Sequence, residues 1–110
     1  MSTFSEARQA LLLLRKPERA VMLQSFFKTA LGQYGAGDQF LGLTVPEVRL
    51  IVKKYPSLSF DDLKHFLASK WHEERLFALL VLVRQFEHAK QEGDQKKIVD
   101  FYLSQSARIN

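Results

Sequence analysis

Gly35-Ala36-Gly37-Asp38-Gln39-Phe40-Leu41-Gly42-Leu43-Thr44-Val45-Pro46-Glu47-Val48-Arg49 joins a glycine-rich loop to the start of a cationic helix. Thr44 and Glu47 have the Ser/Thr-x-x-Glu spacing of a capping box, in which each side chain satisfies an orphan amide at the helix start. Pro46 falls in the first turn, where a missing amide hydrogen costs least. The loop therefore ends, and a helix begins, within a residue or two of Thr44. A helix start of this kind, with Arg49 one turn in, can hold an anion such as a nucleic-acid phosphate.

The neighbouring segments also read as helices. Phe4, Ala7, Leu11 and Leu14 form a helical stripe. Pro17 opens a second helix with Leu23, Phe26, Phe27, Ala30 and Leu31 on one face, ended by Gly32, Gly35 and Gly37. The third starts at Thr44, turns Val48, Ile51, Val52 and Tyr55 inward, and stops at Pro56. Ser59 and Asp62 predict a cap for a short fourth helix burying Phe60, Leu63, Phe66 and Leu67. The fifth runs from about His72 to Lys90, and its all-round apolar centre, Leu76 to Val83, predicts packing on several sides. Gly93 and Asp94 break it, and a sixth covers Gln95 to about Ser106, burying Ile98, Phe101 and Tyr102. No hairpin signal accompanies these segments. The expectation is an all-α chain of about six helices, either stacked in antiparallel pairs or gathered in a compact bundle.

A 110-residue chain is one domain or part of one. With 46% hydrophobic and 25% charged residues it has globular composition. The absence of cysteine excludes disulfides, thiolate metal sites and a cysteine nucleophile. A net charge of +4, mixed along the chain, permits an acidic partner without demanding one. No secretory signal is visible, and Leu76 to Val83 falls far short of the roughly 20 residues of a membrane span. No membrane partner and a cytoplasmic location are expected.

Local chemistry offers few sites. The G-x-x-G-x-G loop follows a helix rather than a strand and lacks the Gly-Lys-Ser/Thr ending of a P-loop. His72-Glu73-Glu74-Arg75-Leu76 misses the H-E-x-x-H zinc motif, because Leu76 cannot bind a metal. Glu73 and Glu74 read instead as acids complementing a helix dipole. His65, His72 and His88 lack ligand spacing, so no metal and no cofactor are expected. Arg49 and Lys53 share a helix face, with Lys54 beside it, and composition alone favours an ordinary solvated face. Arg8, Arg15 and Arg19 extend that basic surface if their helices align with the third. Trp71, the single tryptophan, lies between two helices and reads as a core or hinge residue. No catalytic arrangement stands out.

Three pieces, in order and spacing, resemble the DNA alkylation repair family of HEAT-like repeat proteins, the AlkD-like glycosylases and their relatives. They are Phe40 through Arg49, His72 through Val83, and Ile98 through Leu103 continuing into Ala107-Arg108-Ile109-Asn110. The resemblance spans roughly residues 26 to 110 and implies a HEAT-like α-solenoid whose basic concave face holds duplex DNA by its backbone. It implies excision of alkylated purines by N-glycosidic bond hydrolysis in members that are enzymes. By position, Thr44, Val45 and Arg49 match the DNA-contacting turn and helix start; Lys53 is added from helix geometry. Thr44-Val45 stand where characterised members can carry more polar residues.

In the family a catalytic Trp-Asp pair soon follows the Arg-Ile-Asn segment, so the resemblance implies no catalytic residue between Met1 and Asn110. Residues 1–110 are accordingly expected to be a single HEAT-like domain forming the N-terminal part of a longer one. The alternative is a non-catalytic helical-repeat scaffold binding protein or nucleic acid. Self-association through the fifth and sixth helices, or a frayed C-terminus beyond about Leu103, is a further expectation, because the sixth carries apolar residues around more of its circumference than one inward stripe needs.

Overall fold

The computed structural model describes the backbone of residues 3–30 and 39–106, with side chains over 4–26 and 39–106. The glycine-rich segment Gly35 to Asp38, Leu31 and the terminal Arg108-Ile109-Asn110 lie outside the described residues. The chain is all-α, with six helices and no strand among the described residues: α1 Thr3–Leu13, α2 Pro17–Ala30, α3 Val45–Lys54, α4 Phe60–Leu67, α5 His72–His88 and α6 Glu92–Gln105. None of these helices is long and apolar enough to cross a membrane.

Helix α5 is the axis of the fold. It packs against α3, α4 and α6, while α1 lies on α3 and α6 touches α4. The core follows from that placement. Ala7 and Leu11 from α1, Val48, Ile51 and Val52 from α3, and Leu63, Phe66 and Leu67 from α4 close around Phe77, Ala78, Val81 and Leu82 of α5. Phe66 meets Phe77 edge-on with ring centroids 5.0 Å apart, a favoured geometry for aromatic quadrupoles. The multi-sided packing expected of α5 is present, although Val83 at its far edge is exposed.

Local rules account for the short helices. Ser59 caps α4, its hydroxyl accepting from the Asp62 N–H at 3.1 Å. The α3–α4 connection is tied to α5 by Gln85, whose Nε2 donates to the carbonyls of Pro56 and Leu58 at 3.1 and 2.9 Å.

Two expectations need correction. Helix α6 begins at Glu92, so Gly93 and Asp94 lie inside its first turn, and the break falls at Ala89 to Gln91. Glycine does not interrupt a first turn whose amides need no intrahelical partner, and Asp94 complements the dipole there. Tyr102 is 42% exposed rather than buried, because α6 leans on its neighbours through Ile98 and Phe101. Phe101 stacks on Phe60 with centroids 4.5 Å apart and planes within 5°. On α2, Leu23 is half-buried but Phe26 is exposed; the side chains of Phe27 and Ala30 fall outside the described set.

Candidate nucleic-acid interface

The segment leading into α3 is held from beneath by a buried carboxylate. Glu73, 2% exposed in the first turn of α5, accepts from three consecutive backbone amides. Its Oε1 takes the Leu41 N–H at 2.8 Å, and its Oε2 takes those of Gly42 and Leu43 at 2.9 and 3.2 Å. Gly42 has φ +89°, which the left-handed bend requires. A Cβ there would lie 2.2 Å from the Lys16 carbonyl oxygen, since the α1–α2 connection runs directly against it. The same connection pairs with the loop through the Lys16 N–H and the Leu41 carbonyl, 2.9 Å apart. Just upstream, the Gln39 carbonyl accepts from the His72 N–H at 2.7 Å. Gln39 also bridges Trp71, so the half-buried tryptophan sits at a junction, as a hinge-type residue would.

The capping box forms as the spacing predicts. The Thr44 hydroxyl accepts from the Glu47 N–H at 3.3 Å, and the Glu47 carboxylate accepts from the Thr44 N–H at 2.8 Å. Arg19 from α2 joins it, donating to Glu47 Oε1 at 2.8 Å and to the Gly42 carbonyl at 3.0 Å. The Thr44 amide, with Arg19 beside it, holds the Glu47 carboxyl below the usual carboxylate range. This arrangement limits the helix start as an anion site. Pro46 has no N–H, and the box satisfies those of Thr44 and Glu47. Only the Val45 amide is left over among the described residues. The Thr44 hydroxyl is likewise engaged on both sides, since it also donates to Glu47 at 3.1 Å.

The outer face of α3 is different. Val45, Arg49 and Lys53 recur every four residues and therefore lie in one row, and all three are exposed. Arg49 and Lys53 line a recess of about 310 Å³ between α3 and α5, walled by Val52, Leu80 and Val83 and shared with Arg84 and Glu87. Neither Arg49 nor Lys53 forms an ion pair among the described residues.

Two of the three arginines proposed to extend the basic surface are committed elsewhere. Arg8 grips Glu74 with two parallel bonds, Nε to Oε2 at 2.8 Å and Nη2 to Oε1 at 2.6 Å. Glu74 is fully buried, and its hydrogen bond raises the Arg8 pKa, keeping the guanidinium charged. The guanidinium also lies over Phe4, 5.0 Å from the ring centroid, and 5.9 Å from that of Phe66. Arg19 belongs to the Glu47 cap. Arg15 is exposed on the α1–α2 connection.

Glu73 and Glu74 are thus more than complements to a helix dipole. Two adjacent acids at a helix start carry no local signal of burial, because their partners lie thirty or more residues away in sequence. Arg84 was equally silent; its only sequence cue is that it ends the apolar run of α5. The three histidines do not converge, and among the described residues no group of three or more acidic or histidine side chains forms a metal-ligating set.

The fold and this face define an all-α helical protein whose α3–α5 surface carries cations without ion pairs among the described residues. The model of the DNA alkylation repair enzyme family matches residues 7–110, and the chain belongs to that family. The membership supports a role in DNA alkylation repair. No curated protein and no solved structure matches the chain.

Proposed function

We propose that this chain binds duplex DNA by its phosphate backbone through the outer face of α3. Arg49 and Lys53 supply the charge, and Thr44 and Val45 supply the surface at the helix start. The helices form a HEAT-like stack, and residues 1–110 serve as the DNA-holding N-terminal part of a longer parent chain that excises alkylated purines by N-glycosidic bond hydrolysis. The observation that carries this reading is the row of exposed cations on α3, without ion pairs among the described residues, in contrast to Arg8 and Arg19, which are held by the buried Glu74 and the partly exposed Glu47.

The mode of recognition follows from the residue types. Arg and Lys on one helical row neutralise phosphates and release counterions, a contribution that is independent of base sequence. The Val45 side chain adds contact only, its backbone amide is the donor left over at the helix start, and the engaged Thr44 hydroxyl acts mainly by fixing where α3 begins. Binding is therefore weak, salt-sensitive and indifferent to sequence.

The deciding experiment is fluorescence anisotropy of unmodified duplexes of differing sequence over a salt series. Arg49→Ala should weaken all of them alike and reduce the salt slope by about one unit. Unchanged affinity and slope would reduce this face to an ordinary solvated surface.

A second reading, a non-catalytic scaffold that binds protein, draws on one observation. An apolar groove of about 440 Å³ between α5 and α6 is lined by Leu79, Leu82, Val83, Phe86, Val99 and Tyr102, among others. Sedimentation of the purified chain tests whether that groove supports self-association.

A further inference from the structure

We infer that the recess between α3 and α5 is a seat for one backbone phosphate, completed by Arg84 from α5. This rests on the DNA-binding reading of α3 and extends it from a row on one helix to a site built by two. Three cations from two helices, Arg49, Lys53 and Arg84, line a single recess of about 310 Å³. Val52, Leu80 and Val83 form its walls, so a phosphate entering it is partly shielded from water by apolar side chains. Coulombic attraction strengthens as the surroundings become less polarisable. A seat between two helices is consequently worth more per charge than the same cations spread over an open face.

Arg84 is suited to this role by its position. It is half-buried, whereas Arg49 and Lys53 are exposed, and it follows the buried Val81 and Leu82 by three and two residues on α5. It lies on the wall between this recess and a second one, lined by His88 and Asp94 among others. Despite acids on both sides, Glu87 in the first recess and Asp94 in the second, Arg84 forms no ion pair among the described residues. Its five donors therefore remain for an external oxyanion, and a planar guanidinium matches phosphate oxygens two at a time.

Glu87 is the one acid in the seat. Its carboxylate repels a phosphate, which lowers affinity and leaves a net charge of about +2 from the three cations and one acid. The acid thus keeps the seat from holding an oxyanion tightly, so that a backbone phosphodiester is held loosely enough to exchange along the strand.

The test uses the whole chain and an unmodified fluorescein-labelled duplex over a salt series, with five variants. Lys90→Gln removes a positive charge from an exposed residue that does not line the recess and serves as the reference. Relative to it, Arg84→Gln should lower the salt slope by about one unit and weaken binding roughly tenfold at about 0.1 M salt. Arg84→Lys should restore the slope while recovering affinity only in part, and Glu87→Gln should tighten binding. Arg49→Ala reports on the underlying reading. If Arg49→Ala weakens binding but Arg84→Gln matches Lys90→Gln, the shared seat is wrong and DNA binding by α3 stands. If neither differs from Lys90→Gln, both fail. If Arg84→Gln weakens binding but Arg49→Ala does not, the two residues do not share a phosphate and the seat as drawn is overturned. Inorganic phosphate, titrated by NMR, separates a backbone seat from a site for the free ion. Tight saturable binding that Arg84→Gln abolishes, with duplex binding intact, would overturn the proposal.

Discussion

The arginines of α1 and α2 and the cations of α3 occupy one small molecule yet meet opposite surroundings. Arg8 lies across a fully buried Glu74 and two phenylalanine rings, and Arg19 locks the cap of α3 to the bend at Gly42. Arg49 and Lys53, by contrast, project from a face whose inner side, Val48, Ile51 and Val52, is already satisfied by the core. The first group is consumed in joining α1, α2 and the 39–44 segment to α5. The second joins no elements through an ion pair among the described residues. The same side-chain chemistry therefore serves assembly in one region and forms no ion pair among the described residues in the other. The distinction rests on whether a carboxylate is bonded: Glu87 lines the recess beside Arg49 and Lys53 but pairs with neither among the described residues.

The sharpest way to break that comparison is at Glu73. Glu73→Ala strands the three amides of Leu41, Gly42 and Leu43 in a buried place, at about 1 kcal/mol or more each. Chemical denaturation should show a loss of about 4 kcal/mol, and hydrogen exchange at residues 39–44 should accelerate. A loss below about 1 kcal/mol would mean that the bend at Gly42 holds without its anchor.

Arg8→Met is next. It leaves the fully buried Glu74 carboxylate unpaired, and removal of one partner from a buried pair typically costs about 3–5 kcal/mol. The low end is expected, about 3 kcal/mol, because Arg8 itself reaches solvent. Glu74→Gln should cost less, since the arginine left behind can be hydrated. Equal losses from the two variants would contradict the asymmetric burial of the pair.

Arg49→Ala sharpens the contrast from the other side. Its stability should remain within about 0.5 kcal/mol of the parent while duplex binding falls. A destabilisation as large as that of Arg8→Met would place Arg49 among the structural cations.

The smallest effect concerns pH. Glu47 has its folded pKa lowered by the Thr44 amide and Arg19, so it stabilises the fold above the ordinary glutamate range. That contribution fades as pH falls through the depressed folded value, and it amounts to less than about 1 kcal/mol because the pair is partly exposed. The difference in stability between the parent and Glu47→Gln should accordingly shrink on acidification. A difference that stays constant from neutral to acid pH would show that the cap does not depend on the carboxylate's charge.

Much of this protein is local and was legible in its residues. Thr44 with Glu47, Ser59 with Asp62, and Pro17 mark helix starts through hydrogen bonds and steric limits that act within four residues. The apolar spacing of α1, α3, α4 and α5 names the helical part of the core but not Leu41, Leu43 and Leu58 of the connections, and four-residue spacing alone puts Arg49 and Lys53 on one face. What lay beyond reach was any property decided between segments. Glu73 and Glu74 differ by one position along the chain, yet one anchors a loop and the other an arginine of α1, because successive helical residues point about 100° apart. The exposure of Tyr102 and the placing of Arg84 beside Arg49 and Lys53 likewise depend on how α5 and α6 are set against their neighbours. Periodicity identifies a buried face but not which distant groups lie across from it. For this chain, that opposition separates the cations that build the fold from those without an ion pair among the described residues.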